Sequence, residues 1–149
     1  MAVSKLKLSM KPFDNFVAAN KLFVRSASAK EMEFVTHLAI REGWHVGLYD
    51  FPCGHGFDPK GFLVGEVDGQ TVCHISAVSY PNHHSHMGGS FVVEGHRGNG
   101  YGMKLMHTAY NCLDKNYTIG FDVDLETMLK HEKFNGFQTC SLEDLYTER

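Results

Sequence analysis

The chain has 149 residues, of which 43% are hydrophobic and 21% are charged, with 14 Lys and Arg against 17 Asp and Glu. A chain of this length forms one domain and buries roughly 70% of its unfolded surface on folding, so its core needs no disulfide or metal. Its net charge of −3 provides no long-range attraction to phosphate backbones or anionic membranes. We therefore predict neither nucleic acid nor a membrane as a partner.

The chain shows no targeting or membrane-spanning segment. Residues 1–13 contain no apolar run of signal-peptide length. The longest stretch free of Asp, Glu, Lys and Arg, residues 69–93, is interrupted by Pro81, Asn82 and four histidines, so it cannot span a bilayer. The four cysteines contain no Cys-x-x-Cys pair, and we interpret them as reduced thiols of a cytoplasmic protein.

The N-terminal part predicts an arm, a short strand and a helix. We interpret residues 1–20 as an irregular N-terminal arm and residues 21–149 as the folded domain, which starts with a strand over residues 21–26. Ser28 and Glu31 have the spacing of a capping box, and apolar residues at helical spacing follow. The sequence therefore predicts a first helix that ends near residue 43.

A surface loop and a hairpin follow. Residues 45–60 are rich in Gly, Pro, Asp and His, which favours a loop containing at most a short helix. The turn pair Asp68-Gly69 then joins residues 61–67 to residues 70–80, because Asp-Gly tolerates the positive φ of a tight hairpin turn. Period-two alternation places His74 and Ser76 on one face of the second strand.

The C-terminal half continues with alternating strands and helices. We predict a polar connection over 81–86, a strand over 87–93, a helix over 101–113, a strand over 117–122, a helix after Asp124 and a strand over 137–140. The order is strand, helix, three strands, helix, strand, helix, strand. This order indicates an α/β or α+β fold on one central sheet.

Residues 92–102, VVEGHRGNGYG, carry the clearest chemical signal. A strand runs into a loop with three closely spaced glycines, and a helix begins directly after it. Glycines let the backbone approach an anion, and the first N–H groups of the helix carry the positive end of its dipole. Arg97 adds a fixed cation at the edge. This segment predicts a pyrophosphate cradle.

The glycine spacing excludes two common phosphate motifs and resembles a third. It does not fit Gly-x-Gly-x-x-Gly, and the chain has no Gly-Lys pair for a Walker A loop. Arg97-x-x-Gly100-x-Gly102 resembles the acetyl-CoA signature of the GNAT N-acetyltransferases, and the hairpin over 61–80 resembles the family's second and third strands. The likeness covers roughly residues 21–139.

The resemblance implies the α+β GNAT fold, a central mixed and mostly antiparallel sheet flanked by helices. The chain ends at Arg149, about where the family's last strand would begin. A sheet without that strand implies completion by a partner, for example in a homodimer, or one half of a longer arrangement. The implied reaction is direct transfer of an acetyl group from acetyl-CoA to a small-molecule or peptide amine.

The resemblance also assigns site residues. The acetyl-CoA contacts fall on eight residues of the glycine segment: Val92, Val93, Arg97, Gly98, Asn99, Gly100, Tyr101 and Gly102. His86 lies at the strand position where several GNAT subfamilies carry a base, and imidazole changes charge near neutral pH. His131 lies near the position of the tyrosine that, in most GNATs of this pattern, protonates the departing thiolate. The alternatives are a solvated loop histidine for His86 and a helix-surface histidine for His131.

Two further interpretations stay open. The ten histidines invite a metal site, but no spacing matches a closed zinc pattern, and we predict no metal. The missing tyrosine and the early chain end are also compatible with a module that binds CoA without turnover, or with half of a two-domain or dimeric assembly.

Overall fold

The computed structural model describes residues 2–5, 21–123 and 138–142, with side chains for residues 21–122. The strands are β1 (Ala2–Lys5), β2 (Phe23–Ser26), β3 (Phe62–Val67), β4 (Gln70–Tyr80), β5 (His84–Val92), β6 (Thr118–Val123) and β7 (Gln138–Leu142). The helices are α1 (Glu31–Arg41), α2 (Asp50–Phe57) and α3 (Tyr101–Cys112), and a 3-10 turn covers Pro59–Gly61.

The strands form one mixed sheet in the order β2-β3-β4-β5-β6-β1-β7. Strands β5 and β6 pair in parallel, and the other neighbours pair antiparallel. The sequence-based prediction of an α+β fold with a mostly antiparallel sheet is confirmed. The parallel pair is the one that requires a long connection, which α3 provides.

Helices cover both faces of the sheet, because successive side chains of a strand point to opposite sides. Leu105 and Met106 of α3 pack in one buried cluster with Ile75, Met87 and Phe121. The second cluster joins residues of α1 and α2 to the other face: Met32, Val35, Phe51, Phe62, Val64 and Phe91. Burying such side chains is worth about 1.5–3 kcal/mol each, so both layers stabilise the sheet that carries the site.

Two parts of the chain differ from the sequence-based predictions. Ala2–Lys5 is a strand between β6 and β7 rather than part of an irregular arm. The segment predicted as a polar connection over 81–86 already belongs to β5 from His84 onward. The segment 45–60, predicted as a loop with at most a short helix, contains the eight-residue helix α2, which agrees with that prediction. The helix predicted after Asp124 lies outside the described residues.

The β3–β4 hairpin and the start of α1 follow the sequence closely. Asp68 and Gly69 adopt φ values of 51° and 77°, as a tight hairpin turn requires. Glu31 accepts hydrogen bonds from the Ser28 amide at 2.7 Å and the Ser28 hydroxyl at 2.9 Å, the contact that the Ser-x-x-Glu spacing predicts, although the N-cap of α1 is Lys30. Hydrogen bonds from Arg25, which also binds Glu66, are the main reason that the pKa of Glu31 falls to about 2.

Candidate functional site

The site begins where strands β5 and β6 separate. The parallel ladder joins His84, Ser85, His86 and Met87 to residues 118–121 of β6. On its other side, β5 remains paired with β4 as far as Val92. From Gly88 onward, β5 therefore has one edge that is not part of the β5–β6 ladder, and the sheet opens into a split.

A β-bulge lies at the start of this split. His74 pairs with Phe91 and Ser76 pairs with Gly88, so β5 uses one residue more than β4 over this interval. Gly89 has a φ of 57°, and a Cβ added there would lie 3.0 Å from a ring carbon of Phe51. A glycine at position 89 tolerates both the positive φ and the close approach of the Phe51 ring. Such a bulge increases the local twist of the strand and changes its direction.

A buried histidine supports the bulge. His74 is fully buried, and its Nδ1 donates to the carbonyl oxygen of Gly89 at 3.0 Å. Its ring lies 4.9 Å from that of Phe51, 5.9 Å from Phe62 and 5.7 Å from Phe91. Burial lowers the pKa of His74 to about 4, so the imidazole is neutral near pH 7. Within the described part of the chain, His74 Nε2 has no hydrogen-bond partner.

The glycine segment that the sequence predicts to hold a pyrophosphate lies at the far end of the split. Gly98 and Gly100 have φ values of 78° and 79°, and Gly100 is the N-cap of α3, without a side-chain cap. Among residues 21–123, the amides of Gly98, Gly100, Tyr101 and Gly102 donate to no backbone or side-chain acceptor. A Cβ at Gly98 would meet nothing within 4 Å. These amides can therefore receive an anion, with the dipole of α3 behind them.

Side chains hold this loop in shape. The Asn99 side-chain amide donates to the His96 carbonyl at 3.0 Å. Arg97 Nε donates to the Val92 carbonyl at 2.9 Å, and its Nη2 forms an ion pair with Glu42 at the end of α1. The Glu94 amide also donates to Glu42, at 3.3 Å. Glu42, which the sequence did not single out, thus fixes two points of the loop from a position 55 residues away from Arg97.

The two predicted valines differ in the main-chain groups that they leave accessible. The Val93 amide donates to the Val72 carbonyl at 2.8 Å, so it remains in the β4–β5 pairing. Val92 lies opposite Cys73. Because the neighbouring residues Val93 and Val72 share the hydrogen bond, Val92 and Cys73 form a non-hydrogen-bonded pair, and the main-chain N–H and C=O of Val92 point away from β4. Its carbonyl accepts from Arg97, and its N–H points into the split.

His86 is a strand residue that is held by a carboxylate. Its Nε2 lies 2.8 Å from Asp122 Oδ2 on β6, and the side chains are 31% and 23% exposed. Added Cβ atoms at Gly88 and Gly120 would lie 3.0 Å and 3.4 Å from the His86 ring, so these glycines make room for the ring. The interpretation of His86 as a solvated loop histidine is wrong, because the ring is fixed between two strands.

An open cavity of about 590 Å³ adjoins this pair. Its walls come from the β4–β5 turn and the start of β5: Tyr80, Pro81, Asn82, His84 and His86. Among the described residues of this lining there is no Asp, Glu, Lys or Arg. The described part of the lining therefore provides aromatic and polar surface next to the His86–Asp122 pair.

The structure describes the remaining candidate residues only in part. His131 lies outside the described residues. Within residues 21–122, no three His, Cys, Asp or Glu side chains are grouped to hold a metal ion. None of the described helices is long and apolar enough to cross a membrane. Of the cysteines with described side chains, Cys53, Cys73 and Cys112 are free thiols.

Comparisons with known proteins identify this arrangement. The model of the acetyltransferase (GNAT) family matches residues 25–133. The holothin acyltransferase of Pseudoalteromonas sp. (strain SANK 73390) is 34% identical over 115 residues, which are 77% of this chain and 38% of that protein. The chain thus spans about two fifths of the length of this relative.

Solved structures share the fold. Ard1 from Thermoplasma volcanium superimposes with a TM-score of 0.66 at 22% identity, over 76% of this chain and 81% of that one. The diaminobutyrate acetyltransferase EctA from Paenibacillus lautus, solved with its substrate and coenzyme A, superimposes with a TM-score of 0.63 at 18% identity, over 76% of this chain and 72% of that one.

Proposed function

We propose that this chain, which belongs to the acetyltransferase (GNAT) family, transfers an acetyl group from acetyl-CoA to an amine. The observation that carries this proposal is the split beside β5, with unpaired amides at one end and the His86–Asp122 pair at the other. A cosubstrate lying along the split would have its diphosphate at the amides and its thioester nearer the histidine.

The glycine segment would hold acetyl-CoA. The amides of Gly98, Gly100, Tyr101 and Gly102 are donors to the diphosphate, because they have no acceptor within the described part of the protein. The Val92 N–H is the donor to the pantetheine chain. Val93, Asn99 and Arg97 act indirectly, since each fixes the strand end or the loop through its own hydrogen bonds.

His86 would act as the general base. Asp122 accepts the Nε2–H, which leaves the lone pair of Nδ1 free to take a proton. His86 removes a proton from the ammonium form of the acceptor, and the neutral amine nitrogen then attacks the carbonyl carbon of the thioester. The C–S bond breaks, sulfur leaves as the thiolate, and the second proton of the nitrogen passes to solvent as the amide forms. We propose His131 as the donor of the proton that the sulfur takes up. The products are the N-acetylated amine and CoA.

Polarisation of the thioester would come from the main chain. N–H groups on the open edge of β5, beyond Met87, face the split and not β6. Fixed donors of this kind stabilise the charge that develops on the carbonyl oxygen, and removing one such donor typically costs about 10²–10³ in rate. The Gly89 bulge, supported by His74, sets their direction.

The test is a thiol-release assay with acetyl-CoA and a panel of primary amines that includes holothin. His86→Gln should lower kcat at neutral pH by about 100-fold, a typical contribution of general base catalysis, with acetyl-CoA affinity unchanged. The deficit should shrink at higher pH, where the amine loses its proton to solvent. His37→Gln, at a histidine that is 62% exposed, is the matched control.

Gly100→Glu tests the cradle separately. It places a bulky anion where φ is 79° and where we locate the diphosphate, so acetyl-CoA should no longer raise the melting temperature of the folded variant. Unchanged CoA affinity would reject the cradle. Binding of acetyl-CoA without release of CoA for any amine would instead identify a binding module without turnover.

We also propose that the protein acts in the cytoplasm. Cys53, Cys73 and Cys112 are free thiols, and thiols persist in a reducing compartment. Fractionation of cells that express the tagged protein tests this location.

A further inference from the structure

The acceptor side of the split carries a row of aromatic rings. The Tyr80 and His84 rings, at the two ends of the β4–β5 turn, have centroids 6.1 Å apart and planes within 24°. Phe57, at the end of α2, stacks on Tyr80 at 5.5 Å and 29°. Phe57 and Tyr80 are 59% and 38% exposed. We call these three residues, Phe57, Tyr80 and His84, the aromatic row.

The aromatic row leads directly to the proposed base. Tyr80, His84 and His86 line the same cavity. The His84 and His86 rings both approach the position above Gly120, where an added Cβ would lie 3.6 Å from His84 Cε1 and 3.4 Å from His86 Cδ2. A molecule in contact with the His84 ring is therefore within one ring width of the His86 ring.

The chemistry of the walls limits what such a molecule can be. Among the described residues of the lining there is no charged side chain, and Asp122, the carboxylate beside it, lies 2.8 Å from His86 Nε2. Among the described residues a polycation would meet Asp122 as the nearby carboxylate, which His86 already engages, whereas a flat unsaturated ring gains stacking energy beyond its area burial. Pro81, in the same lining, adds apolar surface beside the rings.

We propose that the acceptor is an amine carried on a flat aromatic or heteroaromatic ring, which extends the aromatic row and places its nitrogen at His86. This inference rests on the proposed acetyl transfer and specifies its substrate class. The aromatic row selects the body of the substrate, and His86 acts on its nitrogen. Tyr80 is a specificity-determining residue in this assignment.

The experiment compares two amines that differ in ring planarity: 2-phenylethylamine and 2-cyclohexylethylamine. With the parent protein and acetyl-CoA, kcat/KM should favour the flat ring by roughly tenfold, the upper range for one aromatic contact. Tyr80→Leu should remove most of this preference, and Tyr80→Phe should keep it. Acetyl-CoA affinity should be the same in all three proteins.

A second variant and a binding measurement separate the two proposals. Phe57→Leu, at a more exposed position, should weaken the preference without affecting folding. Calorimetry of both amines in the presence of CoA measures ring preference independently of turnover. Equal binding of the two amines, a preference that survives Tyr80→Leu, or better turnover of spermidine would overturn the aromatic-row proposal. Absence of turnover together with ring-selective binding would refute acetyl transfer and leave the aromatic row standing.

Discussion

The buried histidine beneath the bulge makes stability depend on pH in a window that can be calculated. The pKa of His74 is lowered from 6.5 to about 4, chiefly by burial. Between these values the unfolded chain binds the proton and the folded chain does not. Stability therefore falls as pH decreases through 6.5, and the loss is complete below pH 4.

The size of the effect follows from the two pKa values. A shift from 6.5 to about 4 corresponds to about 3.4 kcal/mol at full protonation, at 1.36 kcal/mol per unit. Between about pH 8 and pH 5 the two titration curves give about 2 kcal/mol. Glu31, whose pKa changes from 4.5 to about 2, adds only about 0.2 kcal/mol to this loss. A loss of 2 kcal/mol is large against the 5–15 kcal/mol typical of a folded domain.

Urea unfolding of the parent and of His74→Asn at both pH values tests this reasoning. Asparagine places an amide donor the same number of bonds from the backbone as Nδ1, so it can still reach the Gly89 carbonyl, but it cannot take a proton. We expect the variant to be less stable at pH 8, because the smaller side chain leaves a cavity. Between pH 8 and pH 5, the free energy of unfolding of the variant should fall by about 2 kcal/mol less than that of the parent. Equal losses in the two proteins would refute the assignment to His74.

Three further predictions concern neighbouring positions. Gly89→Ala should lower the free energy of unfolding in urea by about 3 kcal/mol, because alanine disfavours the left-handed backbone and its Cβ would lie 3.0 Å from the Phe51 ring. Gly69→Ala, which has open space around it, should lower it by about 1–2 kcal/mol. Equal losses in the two variants would contradict the crowding at Gly89. Glu42→Gln should tighten acetyl-CoA binding about threefold at low salt, measured by calorimetry, because it removes an anion beside the proposed diphosphate site and leaves Arg97 charged. An unchanged or weaker affinity would argue against this site. Burial raises the pKa of the Cys73 thiol to about 12, so iodoacetamide at pH 8 should label this thiol only after unfolding. Mass spectrometry measures the labelling. If Cys73 in the folded protein reacted as fast as the exposed cysteines, its burial would be contradicted.

Local signals in the sequence were sufficient for the hairpin and the glycine loop. Asp68-Gly69 determines its turn because the required positive φ values are a property of the two residues themselves. The cradle follows from glycines at the start of a helix, where the amides lack partners in any context. Such features need no knowledge of distant contacts.

The features that the sequence did not reveal depend on pairing between distant segments. Ala2–Lys5 has no periodic pattern long enough to identify a strand. It is a strand because it pairs with β6 on one side and β7 on the other. The histidine-rich start of β5 has the composition of a turn, yet the ladders with β4 and β6 make it a strand. The Glu42–Arg97 contact joins residues 55 positions apart, which no spacing rule relates.

The division of β5 into two halves explains how one strand can serve both parts of the proposed reaction. Its first half is fixed on both edges, and there His86 meets Asp122. Its second half is held by β4 on one edge, and it leads to the cradle. The Gly89 bulge lies between the halves and takes its support from β4 through His74. Because β4 pairs with both halves, it fixes the distance from base to cradle. A change in the bulge should therefore alter acetyl-CoA affinity and turnover together, whereas a change at His86 should alter turnover alone.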